Sequence, residues 1–172
     1  MRVVIPALGL PALGLIAAAP AATAASLTVT VDIPKLEVAE YHKPYVAIWV
    51  EKPDGAVAAN LAVWYDTRLK EKEGEKWLKD IRQWWRRVGR ELTLPVDGVS
   101  GPTRAPGVQT VEMAGGAAPI AELQPGDYTL VVEAAREVGG RELVKVPFTW
   151  PAAAKAEAKG SAELGAVTLE IR

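Results

Sequence analysis

The chain of 172 residues has no cysteine and a single histidine, His42. The missing cysteines exclude disulfides, thiolate zinc, iron–sulfur clusters and thioether-linked haem. One histidine excludes a multi-histidine metal centre built by one copy of the chain. A Ser-His-Asp triad would have to use His42, which stands in Tyr41-His42-Lys43-Pro44, and no G-x-S-x-G elbow occurs. The phosphate-binding P-loop and the dinucleotide fingerprint are missing too. An excess of one charge is also lacking: 20 Lys and Arg stand against 21 Asp and Glu. A general nucleic-acid binder needs a basic field, so no nucleic acid is expected as a partner. The acidic residues show no spacing that singles out a catalytic pair.

A long apolar run occurs once, at the start. Arg2 is followed by an uncharged stretch from Val3 to Pro20 and then by Ala21-Ala22-Thr23-Ala24-Ala25. Charge, apolar core and small residues in that order read as a secretory signal peptide. A membrane span needs about 20 strongly apolar residues; this run is rich in Ala and Gly and carries Pro6 and Pro11. Cleavage suits Ala24 or Ala25. The expected organisation is a signal peptide over 1–25 and a single domain over 26–172, periplasmic and not membrane-embedded. Losing Arg2 leaves the mature chain 19 basic and 21 acidic residues.

What is there is mostly strand. Leu27, Val29, Val31 and Ile33 alternate with Thr28, Thr30 and Asp32 up to Pro34, the period of a half-buried strand. Residues 45–50 and 61–65 flank Pro53-Asp54-Gly55 and read as a hairpin. Further strands are expected over 108–113, 128–134, 143–150 and 166–171, with a turn at Gln124-Pro125-Gly126-Asp127. Residues 151–162, rich in Ala, Lys and Glu, read as a surface connector. One segment has helical spacing. Between 75 and 88, Trp77, Leu78, Ile81, Trp84, Trp85 and Val88 form an apolar stripe, with Lys and Arg opposite and Gly89 at its end. The predicted fold is mainly β, an antiparallel immunoglobulin-like β-sandwich with one amphipathic α-helix insertion. Most of the six tryptophans are expected in packing roles.

The segment from Pro95 to Gly107 carries three prolines and three glycines and reads as a long, exposed, mobile loop. Inside it, Asp97-Gly98-Val99-Ser100-Gly101-Pro102-Thr103 resembles the flavinylation motif Asp-x-x-Ser/Thr-Gly-Ala-Ser/Thr of exported flavoproteins. Asp97, Ser100 and Gly101 match, and Pro102 departs from the alanine of the pattern. Proline fixes φ and removes an amide donor. In those proteins a flavin transferase splits FAD and joins FMN to the last hydroxyl, here Thr103.

A wider likeness accompanies the motif. Tyr41-His42-Lys43-Pro44-Tyr45-Val46-Ala47-Ile48-Trp49, Leu61-Ala62-Val63-Trp64-Tyr65, Lys76-Trp77-Leu78-Lys79-Asp80, Gly126-Asp127-Tyr128-Thr129 and Pro147-Phe148-Thr149-Trp150 resemble a family of predicted periplasmic proteins, a domain of unknown function (DUF2271). That resemblance implies covalent FMN on Thr103, a PepSY-type membrane reductase as partner, and electron transfer serving iron reduction. The chain would be a redox carrier and not a complete enzyme, with Trp64, Trp84 or Trp85 as candidate platforms for the flavin ring. The alternative is a non-catalytic periplasmic binding or scaffold sandwich without cofactor, in which Pro102 marks a lost site. A third reading makes His42 and Met113 a metal-chaperone pair.

Overall fold

The computed structural model describes residues 24–172. The signal-peptide reading of 1–25 falls almost wholly outside the described residues. Among them are nine strands: β1 Leu27–Ile33, β2 Tyr45–Glu51, β3 Val57–Tyr65, β4 Ser100–Pro102, β5 Gly107–Met113, β6 Gly126–Ala135, β7 Arg141–Trp150, β8 Ala154–Lys159 and β9 Ala166–Ile171. They form a four-stranded sheet of order β5-β1-β9-β8 and a five-stranded sheet of order β4-β3-β2-β6-β7. The antiparallel sandwich expected from the period-two pattern is what forms. Its exception is β4, which runs parallel to β3.

Residues that alternate on β1 bury Leu27, Val29, Val31 and Ile33 between the sheets, against Val46, Ile48, Val50, Leu130 and Val132 of the facing sheet. A side-chain period of two sends the other half of each strand to the opposite face. On β2, β3 and β6 that other half is also buried. Ala47, Trp49, Val63, Tyr65 and Val131 form a second apolar cluster with Leu78, Ile81, Trp84 and Leu94. Strands covered on both faces read as continuous apolar runs, which is why 45–50 shows no alternation.

The roof over this outer face corrects the expected helix over 75–88. It is a 3₁₀ segment, Lys70–Asp80, then an α-helix, α1 Arg82–Arg87, then a 3₁₀ turn, Gly89–Glu91. Glu71 (φ 51°) and Lys72 (φ 59°) leave helical geometry altogether. Ile81 (ψ 74°) separates the 3₁₀ segment from α1. Leu78, Ile81 and Trp84, on both sides of the break, are each fully buried on the sheet, and the α-helix starts anew at Arg82. That start is fixed from a distance. The fully buried carboxylate of Glu133 on β6 accepts the amides of Gln83 and Trp84, each at 2.9 Å at its shortest, and Arg141 Nη1 at 2.8 Å. Trp84 Nε1 in turn donates to Asn60 Oδ1 at 3.0 Å.

The expected surface connector over 151–162 is also corrected. Ala154–Lys159 pairs antiparallel with β9, setting Ala156 opposite Leu169 and Ala158 opposite Val167. Ala156 and Ala158 pack on the core while their neighbours face water. Alternating Ala with Lys and Glu suits an edge strand, where charge discourages pairing with another chain.

Candidate functional site

Strand β3 positions the motif. Val96 opens a tight turn: its carbonyl accepts the amides of Val99 and Ser100, and its own amide donates to Ser100 Oγ at 2.9 Å. Gly98 lies at φ +69°, with open space where a side chain would stand. The chain then joins the sheet edge, pairing Ser100 with Val63, Gly101 with Trp64 and Pro102 with Tyr65. The Val63 amide donates to the Val99 carbonyl at 2.9 Å, and the Thr103 amide donates to the Tyr65 carbonyl at 3.1 Å. The expected mobile loop is thus, over its central residues, a hydrogen-bonded strand. Alternation along a strand means that the Pro102 nitrogen, next to a Thr103 amide that faces β3, points outward. An edge position of that kind is where proline costs no ladder bond.

The four motif residues are not equivalent. Asp97 is exposed at the turn, Ser100 and Gly101 are partly covered against β3, and Thr103 is partly exposed beyond the strand end. Burial pushes the Tyr65 phenol up, and a hydrogen bond with Ser100 offsets part of that. Gly101 lies over the indole of Trp64, whose Cδ1 would be 3.5 Å from an added Cβ. The guanidinium of Arg104 covers the same ring at 5.3 Å from its centroid, a favourable cation–π placement.

Thr103 borders a cleft of about 720 Å³, within the range of small-molecule sites. Its other walls come from the chain around Tyr41 and His42, from the 3₁₀ segment through Trp77, from Arg82, and from the turn after β6 that carries Arg136. Trp77 is 49% exposed, so this indole is available to a ligand. Its place on the predicted apolar stripe pointed the other way. The tryptophans suggested as ring platforms behave differently: Trp84 is fully buried and Trp64 is 3% exposed. Trp85 is partly exposed but does not line the cleft.

The turn Arg136–Gly140 is rigidly braced. The Arg136 side chain is 6% exposed, and Glu163 accepts from its Nε at 2.8 Å and Nη2 at 3.1 Å. The same carboxylate accepts the Gly140 amide at 2.7 Å. Arg136 Nη1 and the Tyr41 hydroxyl, both buried, have no hydrogen-bond partner among the described residues. Burial pushes the Tyr41 phenol up, with the Arg136 guanidinium pulling the other way, so the hydroxyl keeps its proton at neutral pH. Tyr41 stands in a block that carries the family likeness, but no local pattern pairs it with Arg136; both come to the cleft because the β6–β7 turn packs beside the strand-entry segment.

His42 stands between two carboxylates, 2.9 Å from Glu40 and 3.4 Å from Glu137. Met113 is buried between the sheets and is not part of the cleft, so the structure does not bring the two together. No group of three or more His, Cys, Asp or Glu side chains arranged to hold a metal occurs among the described residues. No helix among them is long and apolar enough to cross a membrane.

Comparison with known proteins adds one relationship. The model of a family described as predicted periplasmic protein (DUF2271) matches residues 26–166. No curated protein and no solved structure matches the chain.

Proposed function

We propose that this chain, which belongs to the DUF2271 family of predicted periplasmic proteins, carries FMN on Thr103 and serves as an electron-transfer module. The observation behind the reading is the position of Thr103. The Thr103 amide donates to the Tyr65 carbonyl, which sets this last residue of the motif at the border of a cleft about 720 Å³ in volume. The residues present suit the group. Thr103 offers a reachable hydroxyl for a phosphoester, Trp77 offers a half-exposed aromatic face for stacking, and Lys43, Arg68 and Arg82 line the same cleft.

Attachment joins the Thr103 oxygen to the FMN phosphorus of FAD. The bond between the two phosphates breaks, AMP leaves, and the hydroxyl proton passes to the transferase or to water. Bound there, the flavin supplies one- and two-electron transfer, so the chain needs no acid or base of its own. The partners of this reading are a flavin transferase and, for exchange of electrons, a PepSY-type membrane reductase, with iron reduction as the process served. The chain's own part is to hold the tether and orient it. Gly98 makes the turn, Ser100 closes it onto Val96, and Asp97 stays exposed where a modifying enzyme reaches it.

The rival reading is a cofactor-free binding or scaffold sandwich. It draws on the tryptophans, since Trp49, Trp64, Trp84 and Trp150 are buried and serve packing. Co-expression with a flavin transferase separates the two. The carrier gives a fluorescent band that survives denaturing electrophoresis and disappears in Thr103→Ala. The scaffold gives a colourless band in both.

A further inference from the structure

The roof over the larger sheet concentrates positive charge that the rest of the chain lacks. Of the 19 basic and 21 acidic residues of 26–172, the stretch 76–90 holds six basic ones and a single acid, Asp80. Lys76, Lys79, Arg82, Arg86, Arg87 and Arg90 are all exposed. Lys76 reaches Glu73 at 3.2 Å and Arg90 reaches Glu91 at 3.8 Å. Lys79, Arg82, Arg86 and Arg87 have no carboxylate within 4.0 Å among the described residues.

Within α1 these arginines do not stabilise one another. Arg82 and Arg86 stand four residues apart, where like charges repel along a helix, and α1 contains no acid. Packing holds the ridge in place all the same. Trp84 is buried beneath it, and Glu133 accepts the amides of Gln83 and Trp84. The Arg87 guanidinium rests against the turn at Gly55. Gln83, Arg86 and Arg87 line a hollow of about 310 Å³. Glu51 meets Gln83 at 3.4 Å, but it is buried, bonded to Trp49 and paired with Lys145, and reaches neither arginine.

We infer that this ridge docks the protein on an anionic phospholipid surface, with a headgroup phosphate seated in the hollow lined by Gln83, Arg86 and Arg87. The guanidinium fork matches phosphate oxygens in geometry as well as charge. Trp85, partly exposed and next to Arg86 in the chain, is of the residue type enriched at headgroup depth. A carboxylate surface would meet the charge and leave that aromatic edge without a role. The acidic remainder of the chain turns away from such a surface, so attraction and orientation come from one face. Arg82 also lines the cleft, and docking by the ridge therefore sets the cleft beside the bilayer.

The inference does not depend on Thr103 carrying a flavin, and it is tested on the mature chain without one. The chain is pelleted with vesicles of phosphatidylcholine alone, or of phosphatidylcholine and phosphatidylglycerol in equal parts. Binding to the mixed vesicles only is expected, with release at high salt as screening shortens the reach of the charges. Each Lys or Arg near an anionic surface adds about fivefold in affinity, so Arg86→Ala with Arg87→Ala is expected to weaken binding about 25-fold. Lys155→Ala with Lys159→Ala, exposed on β8 of the other sheet, removes the same charge and is expected to bind as the wild type does. Melting curves check that both pairs fold. No binding to mixed vesicles, equal binding to neutral ones, or equal loss in the β8 pair would each overturn the assignment. Tighter binding to soluble polyglutamate than to the mixed vesicles would overturn it too, by marking the ridge as a site for an acidic protein.

Discussion

At Thr103 the backbone and the side chain have separate tasks. The amide completes the β4 ladder by bonding to Tyr65, and the hydroxyl remains at the cleft border. Thr103→Ser is therefore expected to keep covalent flavin and Thr103→Ala to lose it, with thermal stability within about 0.5 kcal/mol in both. In-gel fluorescence beside a melting curve checks both parts. Pro102 is the residue at which motif and chain disagree. Its nitrogen points outward on an edge strand, so the ladder is complete with proline present. Pro102→Ala is expected to be modified at least as fully as the wild type, and a lower yield would show that the proline is itself required. The tryptophans divide by exposure. Trp84→Ala is expected to cost about 3–5 kcal/mol. Trp77→Ala, at a position 49% exposed, is expected to cost under about 1 kcal/mol while changing the fluorescence of an attached flavin. Urea melts of the two variants make the comparison.

At the scale of elements, the strands were legible and the roof was not. Leu27 to Ile33 showed its own period, and the hairpin announced its turn at Pro53-Asp54-Gly55. The stripe over 75–88 gave the right anchors, Leu78, Ile81 and Trp84, but the wrong continuity. What interrupts the helix is a carboxylate 50 residues further along, Glu133, bonded to the amide of Gln83, and no window of local sequence contains that contact. Strand β8 failed for a different reason. Ala, Lys and Glu have weak strand preference, and its alternation became meaningful only with β9 beside it. The cap makes a prediction. Glu133→Ala leaves two amides without their acceptor, each costing about 1–3 kcal/mol, while Arg141, whose side chain is 41% exposed, is taken up by water. Chemical denaturation is expected to report that loss, accompanied by a change in tryptophan fluorescence as α1 loosens.

Across the whole molecule, two sheets bury one core, and the outer face of the larger sheet carries a second core under the helical roof. The motif edge and the β6–β7 turn meet at the cleft, a juxtaposition set by topology and therefore invisible along the chain. The same topology has a titratable brace. Burial alone would raise the Glu142 carboxyl, but hydrogen bonds from Ser161, Leu164 and Ala162 outweigh it and hold it below its ordinary value of 4.5. A lowered carboxyl gives stability that is fully present above the ordinary value and is lost as pH falls through the lower folded value. Glu142→Gln is thus expected to melt below the wild type at pH 7, with the gap closing under acid below about pH 4.5. A gap that stayed constant with pH would remove the carboxylate from the account.

On the proposed reading, Thr103 receives FMN in the periplasm, after export. The intact mass of the mature protein, isolated from the periplasm of cells that also make a flavin transferase, tests it most directly. The expected mass is that of the processed chain plus one FMN less one water, with the increment absent from Thr103→Ala. A processed chain of unchanged mass, from cells in which the same transferase modifies a known flavoprotein, would contradict it.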